Sequence, residues 1–374
     1  MAKIVISGSG VFTPSEAISN KELVKSFNQY TDLQNEKYAK EIASGEREPI
    51  AHSSEEFIFK ASGIKNRYVM NKSGVLDPKI MHPILEKRSD GELSIQAEMS
   101  LKAAKTALEQ AKLQPTDIDS IIVACSNFER SYPAISIEVQ QALGINGFAF
   151  DMNVACSSAT FAIQVANDMI KSGSAKKVLI ISPEICSAHV EWRDRDCHFI
   201  FGDVCTALVL EEQNSAKSSE QYEIISTKCL TSFSNNIRNN SGFLRRTYKN
   251  GMEDQRDMQF MQNGRKVFKE VVPMVAKLIL DHLSENNISA NNLSRLWLHQ
   301  ANKSMNDMIG RKVLGREASA IEQPNILQEY ANTSSAGSII TFSQYSNDLT
   351  SGDIGIICSF GAGYSAGNVI VKKI

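Results

Sequence analysis

Two stretches of this chain, about 170 residues apart, run through the same order of patterns. In the first, alanine and leucine recur at helical spacing from Ser94 to Lys112, Gln114-Pro115 stops the helix, and Ser120-Ile121-Ile122-Val123-Ala124-Cys125 is an almost unbroken apolar run. In the second, Lys266 to Ser284 is amphipathic, Asn291-Asn292-Leu293 is a turn, and Arg295-Leu296-Trp297-Leu298 is apolar again. A strand with no polar alternation belongs in a sheet covered on both faces, and a long helix leading into it is a crossover. Repetition of that unit predicts an α/β protein built by internal duplication. Lys177–Ser182, Ala207–Leu210, Ile354–Cys358 and Gly367–Val371 supply further strands, and five alternating layers of helix and sheet accommodate them all. The Ser/Glu/Gln-rich stretch 211–221 reads as the junction, giving an N-terminal half 1–214 and a C-terminal half 215–374.

Several function classes are disfavoured at this level. With 40 basic and 42 acidic residues, neither a nucleic-acid-binding nor a membrane-binding surface is expected. The 7 cysteines are odd in number and lack paired Cys-x-x-Cys spacing, which points to reduced thiols and no metal. Ile4 to Ser7 reads as a short strand rather than a signal peptide, and no run reaches the ~18 apolar residues of a membrane span, so a cytoplasmic protein is expected. Gly8-Ser9-Gly10 follows that strand, but Thr13-Pro14 stands where a dinucleotide loop needs its third glycine and helix. The polar, Glu/Lys-rich stretch 20–64 reads as a mobile cover over a site.

The chemistry gathers around Asp151-Met152-Asn153-Val154-Ala155-Cys156-Ser157, where an extended segment becomes a small, apolar helix ending at Gly173. Cys156 there faces unpaired backbone N–H groups and a positive dipole end, which favours thiolate and a nucleophilic role. His299 directly follows a buried strand, and Asn332 lies in the small-residue run Ala331-Asn332-Thr333-Ser334-Ser335. Cysteine, histidine and asparagine so placed are a set suited to acyl transfer through a thioester. Gly361-Ala362-Gly363 is small enough to present a backbone N–H to a developing oxyanion.

Asn153-Val154-Ala155-Cys156, His299-Gln300-Ala301-Asn302, Asn332-Thr333-Ser334 and Phe360-Gly361-Ala362-Gly363 together resemble the β-ketoacyl-acyl-carrier-protein synthase III family of thiolase-like condensing enzymes, over nearly the whole chain. Phe201-Gly202-Asp203 after Asp194-Arg195 fits as well. The resemblance implies a thiolase-like αβαβα fold and a homodimer that condenses a Cys156-bound acyl primer with malonyl-acyl carrier protein. His299 and Asn332 would hold the malonyl thioester carbonyl, and the backbone N–H groups of Cys156 and Ala362 would form the oxyanion hole. It implies no cofactor, and an acyl-CoA or other acyl thioester as primer donor. Phe57, Arg195 and Phe268 fall to the substrate side, although Phe57 and Ala61 stand where the family has an adenine-flanking tryptophan and arginine. Tyr132 matches a residue that closes the partner's acyl tunnel, and Lys303, Arg311 and Lys312 match a carrier-protein docking face. The length of 20–64 resembles a subgroup using medium-chain primers or serving specialised lipid and polyketide pathways.

Two other functions stay open at this level: an acyltransferase passing the acyl group to an amine or alcohol, and a silent acyl-binding partner of the same fold. His189 and His198 flank the charged run 191–196 and read as part of a solvated loop, and His282 reads as a surface residue.

Overall fold

The computed structural model describes residues 2–249 and 256–374. Its principal elements in chain order are β1 (Ile4–Phe12), α1 (Asn20–Lys37), α2 (Glu55–Ser62), α3 (Ile95–Ala111), β2 (Ser120–Ala124), α4 (Ile135–Leu143), β3 (Phe148–Met152), α5 (Ser158–Ser172), β4 (Lys177–Glu184), β5 (Val204–Glu212), β6 (Tyr222–Ser234), α6 (Gly264–Glu285), β7 (Leu293–Leu298), α7 (Lys303–Leu314), α8 (Gly337–Gln344), β8 (Ile354–Gly361) and β9 (Gly363–Lys373). The nine strands form one sheet in the order β7-β8-β9-β6-β1-β5-β4-β2-β3. Only β2 with β3, β2 with β4, and β7 with β8 are parallel; the remaining neighbours are antiparallel.

The duplication is visible in this order. Reading β6, β9, β8, β7 against β1, β5, β4, β2 gives the same neighbours with the same directions, and α6 precedes β7 as α3 precedes β2. The two sets join where Val5 and Ile6 of β1 meet Glu223 and Tyr222 of β6. Strand alternation then builds layers. Ile122 and Ala124 of β2 face the central core with Ala159, Ala162 and Ile163 of α5, Ile339 and Phe342 of α8, and Ile357 of β8. Ile121 and Val123 face the opposite way, onto α3 and α4. Ile356 and Cys358 of β8 likewise turn out onto α6 and α7. The one sheet folds over where β1 meets β6, so its two halves enclose α5 and α8 and give the expected five layers, α3/α4, one half-sheet, α5/α8, the other half-sheet, α6/α7.

Three expectations need correction. β1 does not stop at Ser7 but continues through Gly8-Ser9-Gly10 to Phe12, because those glycines let α3 lie directly on the strand. A Cβ on Gly8 or Gly10 would stand 2.1 or 2.2 Å from the carbonyl oxygens of Ala107 and Ala103. The stretch 20–64 is no loose cover. α1 opens with a Ser19/Glu22 capping box, and Leu23, Phe27, Ile58 and Ile64 are buried against Trp192, Phe199 and Phe201. His282 is 1 % exposed, hydrogen-bonded at 2.8 Å to Ser226 Oγ and at 2.8 Å to Asn368 Nδ2, because α6 lays that face on β6 and β9. Among the described residues no helix is long and apolar enough to cross a membrane.

Candidate active site

Cys156 lies in a 3-10 turn, Ala155–Ser157, between β3 and α5. Asn153 shapes that turn: its Oδ1 accepts from the Ala155 N–H at 2.8 Å while its Nδ2 donates to the Ser126 carbonyl at 2.8 Å. The turn before α8 is its counterpart in the second half, a 3-10 turn over Ser334–Ala336. Both start on a non-glycine residue in the left-handed region, Ala155 at φ 47° and Ser334 at φ 50°, and Ala331 before Asn332 has φ 56°. Such conformations cost ~1–3 kcal/mol each and persist where the surrounding structure fixes them.

The three expected residues open on one cavity of about 570 Å³, whose wall includes Phe199, Phe268, Phe360 and Gly361. His299 sits at the end of β7, 2 % exposed, with its backbone N–H donating to the Cys358 carbonyl at 2.8 Å and the Phe360 ring edge-on to its imidazole at 5.3 Å. Burial pulls its pKa down from 6.5 to about 4, with a backbone hydrogen bond to Ser334 acting the other way, so the imidazole is neutral near pH 7. Asn332 Oδ1 accepts from the Ser334 N–H at 2.8 Å, which commits the oxygen and leaves the amide N–H groups for the cavity. Its backbone bridges Phe201, receiving Gly202 N–H at 3.0 Å and donating to Ile200 at 3.0 Å. Phe201-Gly202-Asp203 thus acts as the seat of the Asn332 turn. Asp203 anchors that seat by accepting from Ser187 N–H at 2.8 Å and Met70 N–H at 2.8 Å, and burial raises its pKa to about 6.

The charge state of the cysteine differs from expectation. Burial pushes the Cys156 thiol up to about 11, and the carboxylate of Glu184 pushes the same way. The Ser334 hydroxyl, 3.6 Å from Sγ, and the backbone N–H groups of Ala362 and Cys156 act against them without prevailing. The helix-end donors anticipated from the sequence are therefore present, but the resting group is a thiol. Gly361 is required by close approach: a Cβ there would lie 2.6 Å from Cys156 Cβ and 2.9 Å from Sγ. Ser334 and Glu184 are contributors that sequence reading missed; Ser334 stood inside a quoted motif, whereas nothing local distinguishes Glu184.

The other expected residues are scattered. Phe268 and Ala61 line the cavity. Phe57 and Arg195 stand beside it, the guanidinium 3.9 Å over the Phe57 ring and Phe57 edge-on to Phe199 at 5.8 Å. Arg195 Nε also donates to the His52 carbonyl at 2.8 Å. Tyr132 is 84 % exposed and outside this cavity, next to Pro133 on a larger groove of about 1090 Å³ that contains none of the three central residues. Lys303, Arg311 and Lys312 are exposed on α7, but Lys303 pairs with Asp307 at 2.6 Å and Arg311 with Glu317. The run 191–196 is a loop in which only Trp192 is buried, as expected, but the flanking His198 is buried, stacked 4.4 Å from Phe27. His189 packs on Phe201 at 5.2 Å, and burial lowers its pKa to about 4.

Comparison with known proteins adds to this geometry. The family model described as 3-oxoacyl-[acyl-carrier-protein (ACP)] synthase III matches residues 150–231, and its C-terminal companion matches 283–373. The β-ketodecanoyl-[acyl-carrier-protein] synthase of Pseudomonas aeruginosa is 55 % identical over 350 residues, covering 94 % of this chain and 100 % of that protein. The β-ketoacyl-[acyl-carrier-protein] synthase III of Ehrlichia canis is 27 % identical over 377 residues, with full coverage of both. Among solved structures, a 3-oxoacyl-[acyl-carrier-protein] synthase III from Aquifex aeolicus superposes with a TM-score of 0.75 at 24 % identity, covering 99 % of each chain. The priming β-ketosynthase of the R1128 polyketide pathway gives 0.76 at 21 %, covering 99 % of this chain and 96 % of its own. These two likenesses show the fold.

Proposed function

The chain belongs to the 3-oxoacyl-[acyl-carrier-protein] synthase III family, and from that premise we propose how it joins an acyl primer to the malonyl unit of malonyl-acyl carrier protein. Cys156 exchanges thioesters first: its sulfur attacks the primer carbonyl, the bond to the donor thiol breaks, and the Cys156 proton leaves on that thiol. The N–H groups of Ala362 and Cys156 stabilise the oxyanion formed on the way. Malonyl thioester then binds with its carbonyl between His299 Nε2–H and the Asn332 amide. A neutral imidazole with its proton on Nε2 and an amide whose oxygen is already occupied are both donors, as the enolate requires. Loss of carbon dioxide leaves a carbanion that attacks the acyl group and expels the Cys156 thiolate, which regains a proton from water.

The observation that carries this reading is the opening of Cys156, His299 and Asn332 onto one cavity with largely apolar walls. The Pseudomonas relative is named for a ten-carbon product, of which malonyl supplies two carbons, so 10 − 2 = 8 is the primer length proposed here. Tyr132 is read as reaching a partner copy's tunnel, so the working unit is read as a homodimer; each chain is read as cytoplasmic and as two halves divided at 214/215. Lys303, Arg311 and Lys312 are read as the carrier-docking face. Labelled carbon dioxide release from malonyl carrier protein, with intact-mass detection of acylated Cys156 across a panel of acyl thioesters, tests the proposal. Octanoyl loading followed by release is expected; loading without release would instead indicate transfer to an amine or alcohol.

A further inference from the structure

Glu184 ends β4 directly behind the cysteine turn, and it takes no part in the steps above. It is 1 % exposed, and its Oε1 accepts from the Ser126 backbone N–H at 3.1 Å and from the Ser335 backbone N–H at 3.2 Å and hydroxyl at 2.5 Å. Its Oε2 accepts from the Ser126 hydroxyl at 2.6 Å and faces the Cys186 thiol at 3.7 Å. Five donors converge on this carboxyl; burial raises its pKa, and the Ser126 and Ser335 hydrogen bonds work against that by favouring the ionised form, which can only accept. Each serine leads to a different turn. The Ser126 carbonyl holds Asn153, which holds the Ala155 N–H beside Cys156. Ser335 belongs to the turn whose Ser334 N–H is fixed by Asn332 Oδ1.

We infer that Glu184 is a positioning residue for both half-reactions, holding the Cys156 turn and the Asn332 turn in register through one shared carboxylate. The inference rests on the reading of those two residues given above. The same carboxylate opposes ionisation of Cys156 by like charge, and that repulsion disappears once the sulfur is acylated and neutral. The other ionisable groups in this region are His299, which opens on the same cavity as Cys156, and Cys125, Cys186, Asp203 and Cys205, which interact with Glu184. None of them bridges the two turns.

Glu184→Gln keeps the shape, removes the charge and turns one donor-facing oxygen into a donor, so the donors facing it lose their acceptor and the seat shared by the two turns is disturbed. The pH profile of Cys156 alkylation by iodoacetamide should move to lower pH in this variant. Carbon dioxide release by the pre-acylated protein should fall by about a hundredfold, the scale of a misplacement near 1 Å. Ser335→Ala retains the charge and should leave the alkylation profile in place while slowing release; Glu184→Asp should restore the wild-type profile. An unmoved profile in Glu184→Gln, or release in Ser335→Ala within about twofold of wild type, overturns the inference, and Ser335→Ala keeps the test available if the Glu184 variants fail to fold. Acyl loading of wild-type protein at Cys156 is the control: its failure removes the reading beneath, whereas normal loading with an unmoved profile removes only the role of Glu184.

Discussion

The Ser334 hydroxyl lies 3.6 Å from the Cys156 sulfur across 178 residues of chain, so the first residue of one half's turn touches the central thiol of the other's. This contact is where the duplicated halves become one site. It also offers the only side-chain hydroxyl among the influences that lower the thiol's pKa. Ser334→Ala should therefore slow Cys156 alkylation at neutral pH by a few-fold and move its profile to higher pH, with little change in melting temperature.

The two half-reactions should separate by mutation. Cys156→Ser is expected to show no acyl adduct by intact mass. His299→Ala is expected to load normally yet lose about a hundredfold to a thousandfold in carbon dioxide release, the usual consequence of removing one donor from a developing oxyanion. Failure of His299→Ala to acylate would mean that the histidine serves the first step too.

Gly361→Ala places a methyl group where 2.6 Å separates it from Cys156 Cβ. The turn must shift to accommodate it, so acylation should fall at least tenfold while the far-UV spectrum is unchanged. Acylation at the wild-type rate would show that the Gly361 backbone yields without disturbing Cys156.

Stability should drop on acidification below about pH 6.5. His299 and His189 titrate in the folded protein at about 4, and His198 at about 3, against 6.5 when exposed, in each case chiefly through burial. Because the folded values are depressed, the unfolded chain binds more protons between about 4 and 6.5, and stability falls with pH through that window. Asp203 opposes this, since its pKa is raised from 3.8 to about 6. Burial lowers His282 to about 4 as well, and it raises Glu184 as it does Asp203; four histidines outweigh these two carboxyls, so melting temperature should decline from pH 6.5 to 4. His198→Phe, which keeps a ring against Phe27, should flatten the decline.

Among the α7 cations, Lys303 and Arg311 are already held by Asp307 and Glu317. Lys312→Glu alone should therefore raise the KM for malonyl carrier protein, about threefold or more at low salt and less at high salt, while acylation by a small acyl-CoA stays unchanged. An equal loss with both substrates would place the damage in the site instead of the docking face.

The sequence by itself determined the duplicated architecture, because strands such as Ser120–Ala124 and Leu293–Leu298 carry no polar alternation and can only be buried between helices. Local pattern also singles out Cys156, His299 and Asn332, each at the end of a strand or in a tight turn, and the fold brings the three onto one cavity. Tertiary structure alone decided their chemistry. A helix-end position argues for a thiolate, but desolvation at a half-buried site and a carboxylate from β4, both products of long-range packing, raise the Cys156 pKa and favour the thiol. The charged neighbours of His282 argue for the surface, yet Ser226 and Asn368 arrive from strands far away in sequence to enclose it. The polarity of 20–64 suggested a loose cover, whereas a few apolar residues, Leu23, Phe27 and Ile58, suffice to dock it because Trp192 and Phe199 offer a matching surface. Periodicity records which face of an element is apolar; the dielectric around a given group depends on what packs against that face, and that is set only when the chain closes on itself.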